Sequence, residues 1–247
     1  MGNQTELHKP VQYWAAACGP IAMIMAGVGF IMAHFLPPPE PSRGVVETVA
    51  FLTAHANAIR AGLLIMCLSG GTYILFSVLL TMHLNRVEGH FNILSIFQVV
   101  NAALVGFIVI FPNYYWFYAL FRPRSPEIMI LLNDMGWITF GGFIWNIFWQ
   151  YVAVAVIVLR DRSNSPIFPR WYGYFTVSVA VGVLPAGLNM WFLDGPMAWN
   201  GALSWWLEVT MIASWSYTTF FVLLGVIRRQ GEAEAFQNRH VDGAAPQ

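Results

Sequence analysis

Two carboxylates sit inside long apolar stretches of the chain: Asp134 about six residues into the run 129–159, and Glu208 about seven residues into the run 202–227. An ionised side chain in hydrocarbon costs on the order of 2.5–3.5 kcal/mol on insertion scales, so it is expected to face a partner or a cavity. With a helical rise of about 1.5 Å per residue, both lie roughly 5–10 Å below the same membrane boundary. Burial favours the neutral form of a carboxyl group and a second carboxylate favours it again, which yields a proton donor and an acceptor at neutral pH. Asp134 and Glu208 are therefore expected to form the acid/base pair of a polar pocket. Such a pocket suits isomerisation, hydration or cyclisation of a lipophilic molecule, or proton-coupled transport. Asn133, Asn146 and Asn189 are expected to orient the ligand, with Trp137 and Trp205 against its apolar part. Pro112 and Pro185 fall at similar depth and each frees a carbonyl, that of Ile108 or Val181; broken helices at membrane depth are tolerated where they are buried or line a wet cavity. The same residues also fit a structural role, with hydrated carboxylates near the headgroups and with Asn146, Gln150 and the Gly141-Gly142 pair joining helices.

Histidine makes a second constellation. His34 ends the first apolar run and His55 precedes the second, so the pair could ligate a metal ion or give both axial ligands of a haem if residues 37–54 fold back. His83 and His90 flank a polar turn at 84–89 and read as solvated. No HxxxH, HxxH or CxxCH spacing supports a metal centre, and histidines at helix ends are commonly interfacial. The haem or metal function stands as the alternative to the carboxylate pocket, beside a proton-coupled carrier and a structural subunit of a membrane complex.

The elements that must position these residues are membrane spans. Hydrophobic residues make up 57% of the 247, charged residues 10%, and mean hydropathy is +0.58, which is too apolar for an ordinary soluble domain. Runs long enough to cross about 30 Å of hydrocarbon occur at 14–36, 61–83, 93–121, 129–159, 172–193 and 202–227. The expected fold is all-α, a polytopic transmembrane bundle of six spans. The first run is too long for the apolar core of a signal peptide and is followed by Pro37-Pro38-Pro39 rather than a small-residue cleavage site, so it is expected to remain as a span. Eight Lys/Arg residues fall at the ends and in the 84–92 and 160–171 loops, against four in the opposite loops, which favours N-in/C-in in a cytoplasmic membrane.

Residues 14–230 are expected to form one domain between a polar lead, 1–13, and a disordered tail, 231–247. In the outer segment 37–60, Val46, Val49, Ala50 and Leu52 recur at helical spacing and predict an interfacial helix or a long extension of the second span. Short connections elsewhere predict antiparallel neighbours. Trp and Tyr cluster at span ends as an aromatic belt. Cys18 and Cys67 differ in depth by more than a disulfide tolerates and are expected to be free thiols. Zero net charge without a basic stretch excludes nucleic acid as a partner. The expected partners are the lipid bilayer and a lipophilic small molecule, with homo- or hetero-oligomers in the membrane left open. No GxxxxGK[ST], GxGxxG, GxSxG or HExxH pattern occurs, and the sole lysine, Lys9, lies outside every span, which excludes a retinal Schiff base.

The strings RSPEIMILLNDMGW at 124–137, FPRWYGY at 168–174 and GPMAWNG at 195–201 fall in order at membrane boundaries. Through them the chain resembles a family of small, uncharacterised bacterial integral membrane proteins over about 36–228. The resemblance implies one six-helix domain and transfers no activity. The stretch TAHANAIRAG at 53–62 resembles the haem-binding entry of small membrane-bound epoxide isomerases, which implies haem b as the cofactor of the histidine alternative. This chain departs from those enzymes by two additional spans, and no second ligand residue matches their pattern.

A reporter fused after Arg229 is expected to read cytoplasmic and one placed within 37–44 to read outside. The opposite pair of readings would exchange the two faces and put Asp134 and Glu208 near the inner leaflet.

Overall fold

In hydrocarbon no water is available to the backbone, so each apolar run must satisfy its N–H and C=O groups within itself, and each does so as helix. A computed structural model describes the backbone of residues 2–242 and the side chains of residues 9–231. The helices are α1 (Gly2–Met32), α2 (Val45–Ala54), α3 (Ala56–Glu88), α4 (Ile93–Ile110), α5 (Asn113–Phe121), α6 (Pro126–Gly142), α7 (Trp145–Arg160), α8 (Arg170–Gly182) and α9 (Leu207–Asp242). A 3₁₀ segment, Leu184–Trp191, follows α8, and a π-helical turn, Ala202–Trp206, leads into α9. No strand occurs among the described residues.

Six stretches are long and apolar enough to cross a membrane: Lys9–Met32, Ala56–Glu88, Ile93–Phe121, Pro126–Arg160, Arg170–Trp191 and Ala202–Gly231. Helix α1 begins at Gly2, within the polar lead, and α9 continues to Asp242 within the tail; residues 243–247 lie outside the described residues. Cys18 and Cys67 are free thiols. The start of α1 and the end of α9 lie side by side, since a methyl group built on Gly231 would meet Lys9 Nζ at 2.8 Å. We call this end of the bundle the termini face.

Only the first two spans are continuous α-helix through their length. The third breaks at Phe111-Pro112, where proline cannot donate to Ile108 and the Asn113 side chain instead donates to the Val109 carbonyl at 2.9 Å. The fourth breaks at Phe143-Ile144, directly after Gly141-Gly142. The fifth tightens to 3₁₀ geometry at Pro185, and the sixth opens with the π-helical turn. Asn146 and Gln150 thus belong to α7 while Gly142 ends α6, so the polar track expected along one helix is divided by a backbone break.

Two apolar cores stack along the bundle axis. The one toward the termini face gathers Phe76, Leu80, Tyr151, Val179, Trp215 and Leu223. The other is dominated by aromatic rings, among them Phe30, Phe35, Trp116, Trp137, Trp199 and Trp205. The longest contact in the bundle joins α1 to α3. A methyl group on Gly29 would lie 2.7 Å from the Gly62 carbonyl oxygen, and one on Gly62 would lie 2.7 Å from Ala33 N, so only glycine allows this approach. Gly70 and Gly106 serve α3 and α4 likewise, with a methyl on Gly106 reaching 2.9 Å from the Gly70 oxygen.

Gly29→Leu or Gly62→Leu is expected to destabilise the protein by at least about 1–3 kcal/mol, the ordinary range for overpacking. Gly71→Ala, where nothing lies within 4 Å of the added carbon, is expected to be neutral or stabilising by up to about 1 kcal/mol. Thermal unfolding in detergent distinguishes the two.

Candidate functional site

The polar groups most fully withdrawn from solvent lie in the bundle interior. Tyr73 on α3 donates to Gln150 Oε1 on α7 at 2.9 Å. Tyr172 on α8 shares a 2.7 Å hydrogen bond with Thr219 on α9, and Trp215 Nε1 donates to Thr176 Oγ1 at 3.3 Å. Around these bonds the buried Gln150 Nε2 and Ser216 Oγ have no partner, while the Tyr151 and Ser77 hydroxyls gather on the Tyr73 hydroxyl. A buried polar atom without a partner forfeits about 1–3 kcal/mol, so this cluster is chemically unfinished. Tyr73 and Tyr151 were not singled out in the sequence. The signal available was their place in mid-span, away from the belt where tyrosine is ordinarily found.

Glu208 stands in the first turn of α9, between Trp205 of the aromatic core and Trp215 of the other. It is 6% exposed, and no hydrogen bond reaches its carboxyl group among the described residues. The Tyr151 hydroxyl lies within electrostatic range of it. The π-helical turn immediately before Glu208 re-aims the start of the helix, with the amides of Trp205 and Trp206 both directed to the Gly201 oxygen at 2.9 and 3.3 Å; such turns are frequent at functional sites. Asn189, on the 3₁₀ segment, is buried with neither side-chain atom partnered. It presses on the end of α6, where a methyl on Gly142 would come within 2.8 Å of its Oδ1. Glycine at 141 and 142 therefore admits Asn189 to the place where the fourth span breaks.

Asp134 has separate surroundings. It is half-buried on α6, with Asn133 Nδ2 at 3.5 Å as its hydrogen-bond neighbour, and Asn133 Oδ1 accepts from Trp116 Nε1 at 3.2 Å. No hydrogen bond joins Asp134 to Glu208. Helix α6 packs chiefly on α5, α2 and the 3₁₀ segment, whereas α9 packs on α1, α8 and the π-helical turn. Asn146 is half-buried at the start of α7.

Aromatic rings pack near both carboxylates: Trp116 bonds to Asn133, the neighbour of Asp134, and Trp205 precedes Glu208 by one turn. Trp137 sits at the centre of the rings, with ring centroids 5.0 Å from Phe35, 5.3 Å from Trp116 and 5.8 Å from Trp205. The indole N–H groups of Trp137 and Trp205 are buried without acceptors.

Residues 37–54 do fold back, and the His34 and His55 rings lie 4.4 Å apart. His34 occupies the left-handed region, φ 57°, at the end of α1. The amides of His34 and Phe35 bond to Ile31 and Phe30 oxygens at 3.1 and 2.9 Å, which is the Schellman pattern whose left-handed residue is ordinarily glycine. His55 Nδ1 meets the Phe51 carbonyl at 3.0 Å, which makes Nδ1 the protonated nitrogen and leaves Nε2 as the acceptor or ligand. No third His, Cys, Asp or Glu completes a metal site among the described residues.

Six apolar spans and buried polar groups between them define an all-helical, multi-pass membrane protein. The chain matches no protein-family model, no curated protein and no solved structure.

Tyr73→Phe is expected to destabilise by about 1–3 kcal/mol, because it strands Gln150 Oε1 in the interior. Tyr151→Phe leaves the Tyr73–Gln150 bond in place and removes only the weaker Tyr151–Tyr73 contact, so it is expected to cost less than Tyr73→Phe. Equal losses in thermal unfolding would overturn that order.

Proposed function

We propose that this protein, set N-in/C-in in a bacterial cytoplasmic membrane, binds or converts a lipophilic small molecule by carboxylate acid/base chemistry centred on Glu208. One observation carries the proposal: a carboxyl group buried in the bundle interior without a hydrogen-bond partner. A buried, uncompensated charge is several kcal/mol unfavourable, so the group holds a proton or meets a polar ligand. Gln150 Nε2, which has no partner, and the Tyr151 hydroxyl beside Tyr73 would supply hydrogen-bond donors for a ligand oxygen, and Glu208 the exchangeable proton. Asn189, Trp137 and Trp205 add unsatisfied groups on neighbouring elements, and broken helices in spans three to six are the backbone that can part to admit a ligand. Asp134, with Asn133, serves the entrance rather than the proton transfer.

A second reading gives His34 and His55 to a transition metal, supported by their 4.4 Å ring separation. Two imidazoles on adjacent positions of one metal, each with a metal–nitrogen distance of about 2 Å, have centroids about 4–5 Å apart. A haem sandwiched between them would need about 6 Å. Haem b therefore requires the rings to separate, whereas a single ion does not.

Absorption, metal analysis and native mass spectrometry of one preparation test both. Wild type is expected to be colourless and to carry a co-purifying lipophile that Glu208→Gln loses and Asp134→Asn retains. Changing His34 and His55 together to Ala is expected to shift stability by no more than about 1 kcal/mol and to leave the lipophile bound. Loss of a bound metal in the histidine variant, with Glu208→Gln behaving as wild type, would make the histidines the site.

A further inference from the structure

We propose that the termini face binds an anionic phospholipid, with its phosphate between Arg86 and Arg229 and its acyl chains in apolar grooves on either side of α9. Three adjoining cavities outline the site. The central one, about 170 Å³, is lined by Arg86, Ser165, Arg229 and Gln230, and holds two guanidinium groups. A groove of about 560 Å³ shares Arg229 with it and runs over Trp171, Phe221, Val222 and Gly225. A cleft of about 360 Å³ shares Gln230 with it and runs between Lys9 and Gln12 at one end and Leu75, Val78 and Leu79 along its wall.

Charge selects the sign of the ligand. Lys9, Arg86, Arg228 and Arg229 line these cavities, and among the described residues no Asp or Glu lines any of the three. Asp161, the acidic residue of the neighbouring loop, is committed elsewhere, accepting from the Ser163 and Ile167 amides at 3.0 and 3.2 Å. Partial burial pushes its carboxyl up, but the Ser163 and Ile167 hydrogen bonds outweigh that and hold it below its ordinary range. The guanidinium groups are fixed in place: Arg86 donates to Gln230 Oε1 at 2.8 Å and approaches His83 Nδ1 at 3.2 Å, while Arg229 donates to the Ile167 oxygen at 2.8 Å. A planar guanidinium presents paired donors that match phosphate oxygens.

Depth and shape select a lipid over a free anion. The cations stand where the first span begins and the second and sixth end, at headgroup height. From there the grooves continue along apolar walls toward the membrane interior. A methyl built on Gly225 would meet nothing within 4 Å, so this glycine leaves a trough between the ridges of Phe221 and Arg229. In the other cleft, the buried Gln12 Oε1 has no partner and can accept from a headgroup hydroxyl. An anionic inner leaflet supplies such lipids to juxtamembrane cations.

The test is native mass spectrometry of detergent-purified full-length protein, with dioleoyl phosphatidylglycerol, dioleoyl phosphatidylcholine or inorganic phosphate added separately. Wild type is expected to retain phosphatidylglycerol at least tenfold better than phosphatidylcholine. Arg86→Gln with Arg229→Gln is expected to abolish that preference, and Arg86→Lys with Arg229→Lys to keep most of it, which separates lost charge from lost folding. Gly225→Phe is expected to reduce phosphatidylglycerol retention severalfold with unchanged thermal stability. Equal retention of the two lipids by wild type would overturn the proposal. So would displacement of the lipid by inorganic phosphate together with indifference to Gly225→Phe, because the site would then be one for a free anion.

Discussion

The backbone-to-backbone approach of α1 and α3 at Gly29 and Gly62 fixes the frame on which the other helices are placed. In a membrane, helices gain little from hydrophobic contact with each other, since lipid is as apolar as they are, so association depends on close packing and on polar contacts. The α1–α3 crossing satisfies the first requirement with glycine and alanine. Its length lets the two helices present a continuous wall, against which α4 packs through Gly70 and Gly106 and α9 packs along α1. Spans three to five are built from shorter pieces, and the bundle meets the second requirement through Tyr73 with Gln150, Tyr172 with Thr219 and Trp215 with Thr176.

This division explains where polar chemistry can reside. Irregular backbone at membrane depth is tolerated only inside protein or beside a polar cavity. Here the irregular positions are tied down locally: Asn113 re-bonds the Val109 carbonyl, and Asn189 fits against Gly141-Gly142. The loop 195–201 is braced by the Leu203 amide on the Pro196 oxygen and by Trp199, whose indole donates to the Pro39 carbonyl at 2.8 Å and so joins the last loop to the first. The strings GPMAWNG and FPRWYGY, conspicuous in the sequence, are turn and helix-start chemistry of this kind, with Gly195 at φ 78° and the Tyr172 amide on the Pro169 oxygen.

Hydropathy alone locates the six spans, because twenty consecutive apolar residues leave few other structures open. Spacing alone locates α2, and proline marks the breaks at Pro112 and Pro185. The break at Phe143-Ile144 carries no proline, and it follows the glycine pair against which Asn189 of another span packs. Asp134 and Glu208 show the same limit. Sequence gives a residue's depth along the membrane normal, since rise per residue is fixed, but not its bearing around the bundle, which depends on helix rotation and packing order. Two residues at one depth can therefore face different neighbours, as these do with Asn133 on one side and Tyr151 on the other. The Tyr73–Gln150 bond joins positions 77 apart in the chain and has no local signature.

The stacking of two apolar cores gives the bundle an uneven mechanical character. Above and below, tightly interlocked rings and aliphatic side chains resist shear, as close-packed interiors do. Spans three to five are interrupted, whereas α1 and α3 run unbroken past both cores and contribute side chains to each. The molecule is therefore stiff along one wall and compliant along the other, like a book bound at a spine. Slow amide exchange is expected along the bound edge, in α1 and α3.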